Sequence, residues 1–373
     1  MRVVIAGGGT GGHLFPGIAL AEELTSRNQG HQVLFVGTRR GLEFQAVPRA
    51  GFVLDVIKVA GLKGKGWWAW LRGLLRVPLA MLQSRRILKR FRPHVVVGVG
   101  GYASGPVVFT AWLMRIPTVI MEQNALPGLT NRILGRIAKK IVISFEESRP
   151  YFSAKKLTLL GNPVRKALVS NFLRSREPGE SLGLLVFGGS QGARTLNRVV
   201  PEAVHLLAKR FGDLSTVHQT GERELEEVQE RYRALGLEGV VETTAFLHDM
   251  AAAYRRADVV VCRAGATTVA ELSLCRKAAV LVPFPFAADN HQEINARSLV
   301  GAGAAVMVRE SELGAERLAD EVAAILADPE RRTAMEEAAG LVSRPESARE
   351  ICELCLQLGA LSRWGRKDGA ACR

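Results

Sequence analysis

No acidic residue occurs from Val56 through Met121, although this stretch contains 11 lysine and arginine residues. The whole chain carries 50 Lys and Arg against 36 Asp and Glu, and the excess is confined to its first part. Residues 1–161 hold 23 basic and 7 acidic residues, whereas residues 162–373 are close to neutral. One surface of the first part is therefore expected to be strongly positive and to favour an anionic partner.

Cysteines and long apolar runs are also scarce, and each scarcity excludes a class of protein. Five cysteines in 373 residues are too few for a disulfide framework, and Cys352 and Cys355 have no second pair with which to form a zinc site. No run reaches the roughly 18 apolar residues that span a bilayer, and the chain begins directly with a strand-like run rather than a signal peptide. These features predict a cytoplasmic protein with reduced thiols.

Strand-like and helix-like runs alternate along the chain, and the alternation starts again in the second half. The β-branched run Val3–Ala6, for example, precedes the amphipathic run Leu14–Leu24. This rhythm predicts parallel sheets covered by helices on both faces. We therefore predict an α/β protein with two Rossmann-like, doubly wound domains that face each other across a cleft. The predicted domains are residues 1–161 and 162–340, with residues 341–373 forming closing helices that pack toward the first domain and a basic tail.

Three glycine-rich loops follow strand-like runs, at residues 7–12, 98–106 and 188–193. Such a loop between a strand and a helix presents backbone N–H groups at the helix start, where an anion binds. The first loop matches the dinucleotide pattern G-x-G-x-x-G, but no acid stands at the end of the second strand-like run. Arg39 and Arg40 follow that run instead, so an NADP-dependent oxidoreductase is one alternative.

The densest polar cluster of the second half runs from Arg263 to Glu271, directly after the strand-like run Val259–Cys262. Its small residues and hydroxyls stand at a predicted helix start, where N–H groups and the helix dipole can hold a diphosphate. Glu271 lies four residues after Thr267 on the same helix face, where a carboxylate can accept both hydroxyls of a ribose. A capped helix with a solvated glutamate is the alternative.

His13 stands beside the first glycine loop, at the start of the predicted helix. The positive end of the helix dipole disfavours the imidazolium ion, and a neutral ring can act as a general base. A histidine that only makes hydrogen bonds is the alternative. Glu122, Gln123 and Asn124 offer further polar groups after the strand-like run Thr118–Met121.

The acid-free segment combines its charge with tryptophan and leucine. Its arginines at positions 72, 76, 86 and 90 fall on one helical face, and apolar side chains take the rest. This composition is typical of a helix that lies in a membrane interface, although Pro78 predicts that the helix is not straight. An anionic leaflet attracts each basic residue by about 1 kcal/mol. Nucleic acid is the other common polyanion, but no recognised binding motif accompanies the charge.

Taken together, these motifs resemble those of the bacterial MurG family, the UDP-N-acetylglucosamine transferases that convert lipid I to lipid II in peptidoglycan synthesis. The match runs from Arg2 to about Leu356 and preserves the order and spacing of the motifs. It is carried by Gly8–His13, Gly100–Gly105, Glu122–Asn124, Gly161–Arg165, Gly188–Ala193, Asp249–Tyr254 and Arg263–Glu271.

The resemblance implies a GT-B glycosyltransferase whose second domain binds UDP-N-acetylglucosamine. His13 would take the proton from the muramyl 4-hydroxyl as that oxygen attacks the anomeric carbon, and Thr10, Gly11 and Gly12 would complete the donor site. The other implied contacts are Arg165, Ser190 and the backbone at Leu247 for the uracil and its neighbourhood, Ala266, Thr267, Thr268 and Val269 for the diphosphate, Glu271 for the ribose, and Gln292 with Asn124 for the sugar.

The resemblance also implies partners and a location. The acceptor, lipid I, would lie on the first domain beside the basic face, with an anionic membrane surface as partner and no nucleic acid. The protein would then be peripheral, on the cytoplasmic face of the plasma membrane. We expect no cofactor and no tightly bound metal, because a helix terminus and basic groups can hold the diphosphate. A binding module that uses only the positive face, or a UDP-sugar epimerase, would be the alternative.

Overall fold

The computed structural model describes residues 1–39, 41–59, 67–171, 181–189, 192–287 and 290–362, without the side chains of residues 67–76, 167, 170 and 171. Contacts between Cα atoms divide the chain into two compact units. Unit 1 comprises Met1–Lys166 and Pro345–Arg373, and unit 2 comprises Ala167–Arg344. The sequence predicts boundaries at 161 and 340, and Arg165 lies in unit 1.

Unit 1 is built on a seven-stranded parallel sheet with the order β3-β2-β1-β4-β5-β6-β7. Its strands are β1 Arg2–Gly7, β2 Gln32–Gly37, β3 Val53–Val56, β4 Val95–Gly100, β5 Thr118–Glu122, β6 Lys140–Ile143 and β7 Leu157–Leu159. Its helices are α1 Gly11–Arg27, α2 Glu43–Arg49, α3 Trp67–Phe91, α4 Ser104–Leu113, α5 Leu129–Gly135 and α14 Ser347–Ala360, with short 3-10 helices at Glu146–Tyr151 and Ala154–Lys156.

Helices cover both faces of this sheet because its central strands are apolar throughout. Successive side chains of a strand point to opposite faces, so Val3 and Ile5 enter one core and Val4 and Ala6 enter the other. The first core is closed by α1 and α14, and the second by α3, α4 and α5. Fully buried parallel strands of this kind read as continuous apolar runs, which is why they were recognisable in the sequence.

Unit 1 contains the basic helix α3 and two neighbouring cysteines on α14. Helix α3 continues through Pro78 to Phe91 without a break in the helical assignment, although proline cannot donate the usual backbone hydrogen bond. Cys352 and Cys355 are buried on α14 within the core, and burial raises the pKa of the Cys352 thiol to about 11. Their spacing therefore reflects packing on one face of a helix.

Unit 2 repeats the same design with a six-stranded parallel sheet of order β10-β9-β8-β11-β12-β13. Its strands are β8 Gly183–Phe187, β9 Ser215–Gln219, β10 Val241–Thr244, β11 Val259–Cys262, β12 Ala278–Leu281 and β13 Ala305–Met307. Its helices are α7 Arg194–Arg210, α8 Leu225–Ala234, α9 Met250–Arg256, α10 Ala266–Leu274, α11 His291–Gly301, α12 Ala315–Leu326 and α13 Pro329–Leu341, with 3-10 helices at Glu222–Glu224 and Glu310–Glu312 and with α6 Lys166–Asn171 at the unit boundary.

The prediction of two doubly wound α/β domains is confirmed. In each unit the first strand lies in the middle of the sheet, and the strand order reverses beside it. Ligands of such sheets bind outside the carboxyl ends of the strands at this switch point. The loops after β1 and β4 in unit 1, and after β8 and β11 in unit 2, are therefore the places to look for a site. Within the described residues, no helix is both long enough and apolar enough to cross a membrane.

Candidate active site

The glycine loop after β1 is closed over a buried glutamate. Glu43 begins α2 and is 1% exposed, and its Oε2 accepts a hydrogen bond of 2.7 Å from the backbone N–H of Gly9. Its Oε1 accepts hydrogen bonds from the backbone N–H and the hydroxyl of Thr38, at 2.9 and 2.8 Å. The loop that was expected to bind an external anion therefore directs one N–H to a carboxylate of its own chain.

Three glycines make room for this carboxylate. A Cβ atom at Gly8, Gly37 or Gly41 would overlap the side chain of Glu43. Sequence reasoning missed Glu43 because it searched for an acid at the end of the second strand, as a dinucleotide site requires. The glycines at positions 37 and 41, which flank the loop before the glutamate, were the available signal.

His13 lies in the first turn of α1, where its ring meets two neighbouring strands. Thr10 is the N-cap residue, and its carbonyl accepts hydrogen bonds from the N–H groups of His13 and Leu14 at 3.3 and 3.2 Å. The Nδ1 atom of His13 lies 3.0 Å from Oε1 of Gln123, at the end of β5. Gly100 of β4 has a φ of 94°, and a Cβ atom there would lie 2.9 Å from the same Nδ1. The imidazole is therefore held in one place.

Glu122, the last residue of β5, is buried and accepts hydrogen bonds from the segment that follows the strand. Its Oε1 accepts a hydrogen bond from the backbone N–H of Asn124 at 3.0 Å, and its Oε2 accepts from Gly128 and Asn131 at 3.1 and 2.9 Å. Burial raises the pKa of Glu122, while these hydrogen bonds and the charge of a protonated His13 oppose the rise. Glu122 thus fixes the loop that carries Asn124, the residue expected to contact the sugar.

Three other predicted residues lie in or beside α1 in unit 1. Gly11 and Gly12 form the start of that helix, and Gly11 faces Phe15 one turn later. The guanidinium of Arg165 stacks on the ring of Phe15, with 4.9 Å from its Cζ to the ring centroid. Arg165 is therefore anchored to α1.

In unit 2, the predicted diphosphate and ribose residues lie on the short helix α10. Ala266, Thr267, Thr268 and Val269 form its first turn, and Gly265 at the N-cap offers no side chain to cap it. Glu271 is 6% exposed, so the alternative of a solvated glutamate is wrong. The sequence pattern had placed both groups on one helix, and the structure confirms that placement.

Tyr254 is a buried hydrogen-bond partner of Glu271. Its hydroxyl lies 3.3 Å from Oε2 of Glu271 and donates to it. Burial, and then the charge of Glu271, raise the pKa of Tyr254 well above its usual value, so the phenol remains protonated. Tyr254 lies within α9, whose first turn is capped by Asp249 through a 2.9 Å hydrogen bond from the N–H of Ala252. Leu247, expected to present its backbone to the uracil, is partly buried two residues before this cap.

Arg263 turns out to be a structural residue of the loop before α10. Its Nη1 donates to the carbonyls of Val282 and Pro283 at 3.1 and 3.2 Å, and its Nη2 pairs with Glu310. The carbonyl of Ala264, next along the chain, accepts a hydrogen bond from Asn295 at 3.3 Å. The loops after β11 and β12 are therefore tied together by side chains.

Gln292, expected to bind the sugar, makes a further hydrogen bond that joins α11 to the loop after β12. Its Oε1 accepts a 3.0 Å hydrogen bond from the backbone N–H of Phe284. Gln292 lies in the first turn of α11 and is partly buried. Ser190, the remaining predicted contact, lies outside the described residues.

Comparison with known proteins assigns a family to this geometry. The chain matches the glycosyltransferase family 28 N-terminal domain over residues 3–143 and the C-terminal domain of the same family over residues 183–351. It is 54% identical to the UDP-N-acetylglucosamine--N-acetylmuramyl-(pentapeptide) pyrophosphoryl-undecaprenol N-acetylglucosamine transferase of Myxococcus xanthus, over 98% of this chain and 94% of the relative. The chain belongs to the MurG family of glycosyltransferases.

A solved structure agrees with this assignment to the MurG family. The crystal structure of Acinetobacter baumannii MurG aligns with a TM-score of 0.76 and 30% identity, over 95% of this chain and 99% of that chain. A UDP-GlcNAc 2-epimerase from Neisseria meningitidis aligns with a TM-score of 0.68 at 14% identity, which reflects a shared fold alone. The fold is therefore GT-B, and the enzyme is a glycosyltransferase rather than an NADP-dependent oxidoreductase.

Proposed function

We propose that this enzyme transfers N-acetylglucosamine from UDP-N-acetylglucosamine to the 4-hydroxyl of the muramyl residue of lipid I, with inversion at the anomeric carbon, to give lipid II. The observation that carries the proposal is the buried carboxylate of Glu271 on α10, one turn beyond a helix N-terminus without a side-chain cap. That combination fits a nucleoside diphosphate. The relatives named for this reaction align over nearly the whole chain.

The donor would be held by unit 2. The N–H groups of Ala266 to Val269 and the dipole of α10 would bind the diphosphate, and Glu271 would accept hydrogen bonds from the ribose hydroxyls. As the bond between the anomeric carbon and the diphosphate breaks, negative charge develops on the leaving UDP, and the same N–H groups stabilise it. This mechanism assigns the stabilisation of the leaving group to the helix and uses no tightly bound metal.

The remaining donor contacts are proposed from the resemblance. Leu247 would present its backbone to the uracil, with Ser190 and Arg165 nearby. Gln292 would contact the sugar, and so would Asn124 of unit 1. The bracing of Gln292 by Phe284 supports this role, because a side chain with a fixed conformation loses less entropy when it binds.

The general base would be supplied by unit 1. His13, at the N-terminus of α1, would take the proton from the muramyl 4-hydroxyl while that oxygen attacks the anomeric carbon. The new glycosidic bond forms as the bond to UDP breaks, and attack from the opposite face gives the β configuration. Thr10, Gly11 and Gly12 would close over the reacting groups.

The lipid part of the acceptor requires a membrane-facing surface, and three neighbouring helices of unit 1 supply a candidate. Helix α3 packs on α4, and α4 packs on α5. Large apolar side chains on these helices are exposed, namely Leu79, Leu82, Trp112, Leu113, Leu129 and Ile133. Exposed basic residues accompany them, namely Arg85, Arg86, Lys89, Arg115 and Arg136. We call these residues the apolar–basic face.

An apolar surface of this kind next to basic residues fits an anionic membrane interface. We therefore propose a peripheral enzyme on the cytoplasmic face of the plasma membrane, with no nucleic acid as partner. The side chains of Trp67, Trp68, Trp70, Arg72 and Arg76, which first suggested this surface, lie outside the described part of the chain.

The reaction is tested by measuring the transfer of radiolabelled N-acetylglucosamine from its UDP donor to a short-chain lipid I analogue, with and without EDTA. We expect a disaccharide product in both cases. The variant His13→Ala should lose activity by about a hundredfold or more while binding UDP normally, whereas His31→Ala, a histidine elsewhere in unit 1, should retain it. Conversion of the donor without any transfer would indicate an epimerase and contradict the proposal.

A further inference from the structure

We propose that Gln123 is a positioning residue that sets the tautomer of His13, so that Nδ1 carries the proton and Nε2 is left to accept one. The inference deepens the proposed function, on which it rests, because a general base needs an unprotonated ring nitrogen. Gln123 belongs to a motif that follows β5, and nothing else in the proposed reaction uses it.

The first argument is the hydrogen bond itself. Oε1 of Gln123 lies 3.0 Å from Nδ1 of His13, and Gln123 is 1% exposed. An amide oxygen can only accept a hydrogen bond, so Nδ1 must donate it. Neutral imidazole carries one proton, so Nε2 of His13 keeps its lone pair. Nε2 of Gln123 is buried and has no hydrogen-bond partner in the described part of the chain, so the amide acts on its surroundings through Oε1.

The second argument is that the ring has little freedom to escape this contact. A Cβ atom at Gly100 would lie 2.9 Å from Nδ1 and 3.0 Å from Cε1 of His13, so the imidazole rests directly on the backbone of β4. Gln123 follows β5, which pairs with β4. The backbone of β4 thus limits the movement of the ring, while Gln123, directly after β5, faces Nδ1.

The third argument concerns the charges around the ring. The charge of a protonated His13 opposes the rise in the pKa of Glu122, which stands next to Gln123, so the two side chains interact electrostatically. Glu122 is itself occupied by hydrogen bonds from Asn124, Gly128 and Asn131. A neutral amide at position 123 therefore fixes the orientation of the ring without adding a second negative charge, which would hold the proton too tightly.

The direct test is the ¹⁵N NMR spectrum of the imidazole nitrogens in the uniformly labelled enzyme, with His13 assigned through its loss in His13→Gln. We expect the chemical shifts of an Nδ1–H tautomer in the wild type and a mixture of tautomers in Gln123→Ala. An Nε2–H tautomer in the wild type would overturn the proposal, and so would an unchanged tautomer in the variant. The wild-type measurement requires neither a substitution nor turnover.

The second test is the pH dependence of kcat/KM in Gln123→Glu, a nearly isosteric change. A carboxylate beside Nδ1 should move the acidic limb of the profile to higher pH by about one unit or more. The matched control is Gln83→Glu, since Gln83 also accepts a hydrogen bond in unit 1, from the N–H of Lys58. An acidic limb that stays in place would contradict the proposal.

These results separate the inference from the proposed function. If the wild type shows the Nδ1–H tautomer, Gln123→Ala alters it, and no disaccharide forms from lipid I, then Gln123 positions the ring and the proposed reaction is wrong. If the disaccharide forms but the tautomer does not depend on Gln123, the positioning role is wrong and the reaction stands.

Discussion

The carboxylate of Glu43 accepts a 2.7 Å hydrogen bond from the backbone N–H of Gly9, and this contact joins α2 to the glycine loop after β1. The loop thus takes its shape from a residue more than 30 positions away in the chain. Since the loop leads directly into Thr10 and His13, the geometry of the proposed base depends on a side chain that touches no substrate.

We predict that Glu43→Gln lowers kcat and stability together. An amide has only one acceptor oxygen, so its NH₂ group would face an N–H donor, and the loss of such a buried interaction costs about 1–3 kcal/mol. Thermal unfolding measures this loss of stability. Titration of the whole enzyme with UDP should give an unchanged affinity, because the proposed UDP site lies in unit 2. The control is Glu147→Gln, an exposed glutamate of unit 1. Wild-type turnover and melting temperature in Glu43→Gln would contradict the prediction.

A second prediction concerns Tyr254, which contacts the glutamate of the proposed ribose site. Tyr254→Phe removes the hydroxyl that donates to Glu271 and should weaken UDP binding by about fivefold, or roughly 1 kcal/mol. Binding of 2′-deoxy-UDP should change less, since that ligand has one ribose hydroxyl fewer to offer Glu271. Calorimetric titration of both ligands measures the difference.

The matched control for this prediction is Tyr232→Phe. The hydroxyl of Tyr232 lies 2.9 Å from Nδ1 of His218 inside unit 2, away from α10. This variant should lose stability and keep its affinity for UDP. Equal weakening of UDP and 2′-deoxy-UDP by Tyr254→Phe would mean that Tyr254 supports the fold of unit 2 and not the ribose contact.

A third prediction tests the apolar–basic face. Leu129 and Ile133 on α5 are 68% and 55% exposed, so Leu129→Ser with Ile133→Ser should reduce binding to vesicles that contain an anionic phospholipid, by about tenfold. Stability should be unaffected. The control is Leu341→Ser, because Leu341 is 88% exposed on α13 of unit 2 and does not belong to the apolar–basic face. Equal vesicle binding by both variants, measured by sedimentation, would argue against this face.

A fourth prediction follows from His218, which is fully buried in unit 2. Burial lowers its pKa from 6.5 to about 3, so the unfolded chain binds a proton between these values and the folded chain does not. The stabilising contribution is complete above pH 6.5 and is lost as the pH falls toward 3, at about 1.4 kcal/mol per pH unit. Urea unfolding at several pH values should show a shallower acid dependence for His218→Gln than for the control His205→Gln. Identical slopes would contradict the prediction.

Much of the fold was predictable because fully buried parallel strands are continuous apolar runs. The strand Val259–Cys262, for example, begins and ends where the sequence indicated. The short strand β7 was not predicted, since its three residues provide too little pattern.

The candidate site was predictable where chemistry and helix position coincide, as for Glu271. It was not predictable where distant segments meet. Glu43, Gln123 and Tyr254 act through side-chain hydrogen bonds to residues that are far away in sequence, and no local pattern encodes such a pairing. Arg263 shows the opposite case, because a basic residue in a diphosphate motif binds carbonyl oxygens and a glutamate of its own unit.

The late position of α14 in the sequence affects the order in which the two units can fold. Its buried face, with Ile351 and Cys355, enters the same core as Val3 and Ile5, although these residues lie at opposite ends of the sequence. During synthesis the ribosome releases this helix only after all of unit 2 has emerged. Unit 2 can therefore fold while unit 1 still exposes the apolar surface that α14 covers. A chain truncated before α14 should consequently be prone to aggregation even with unit 2 intact.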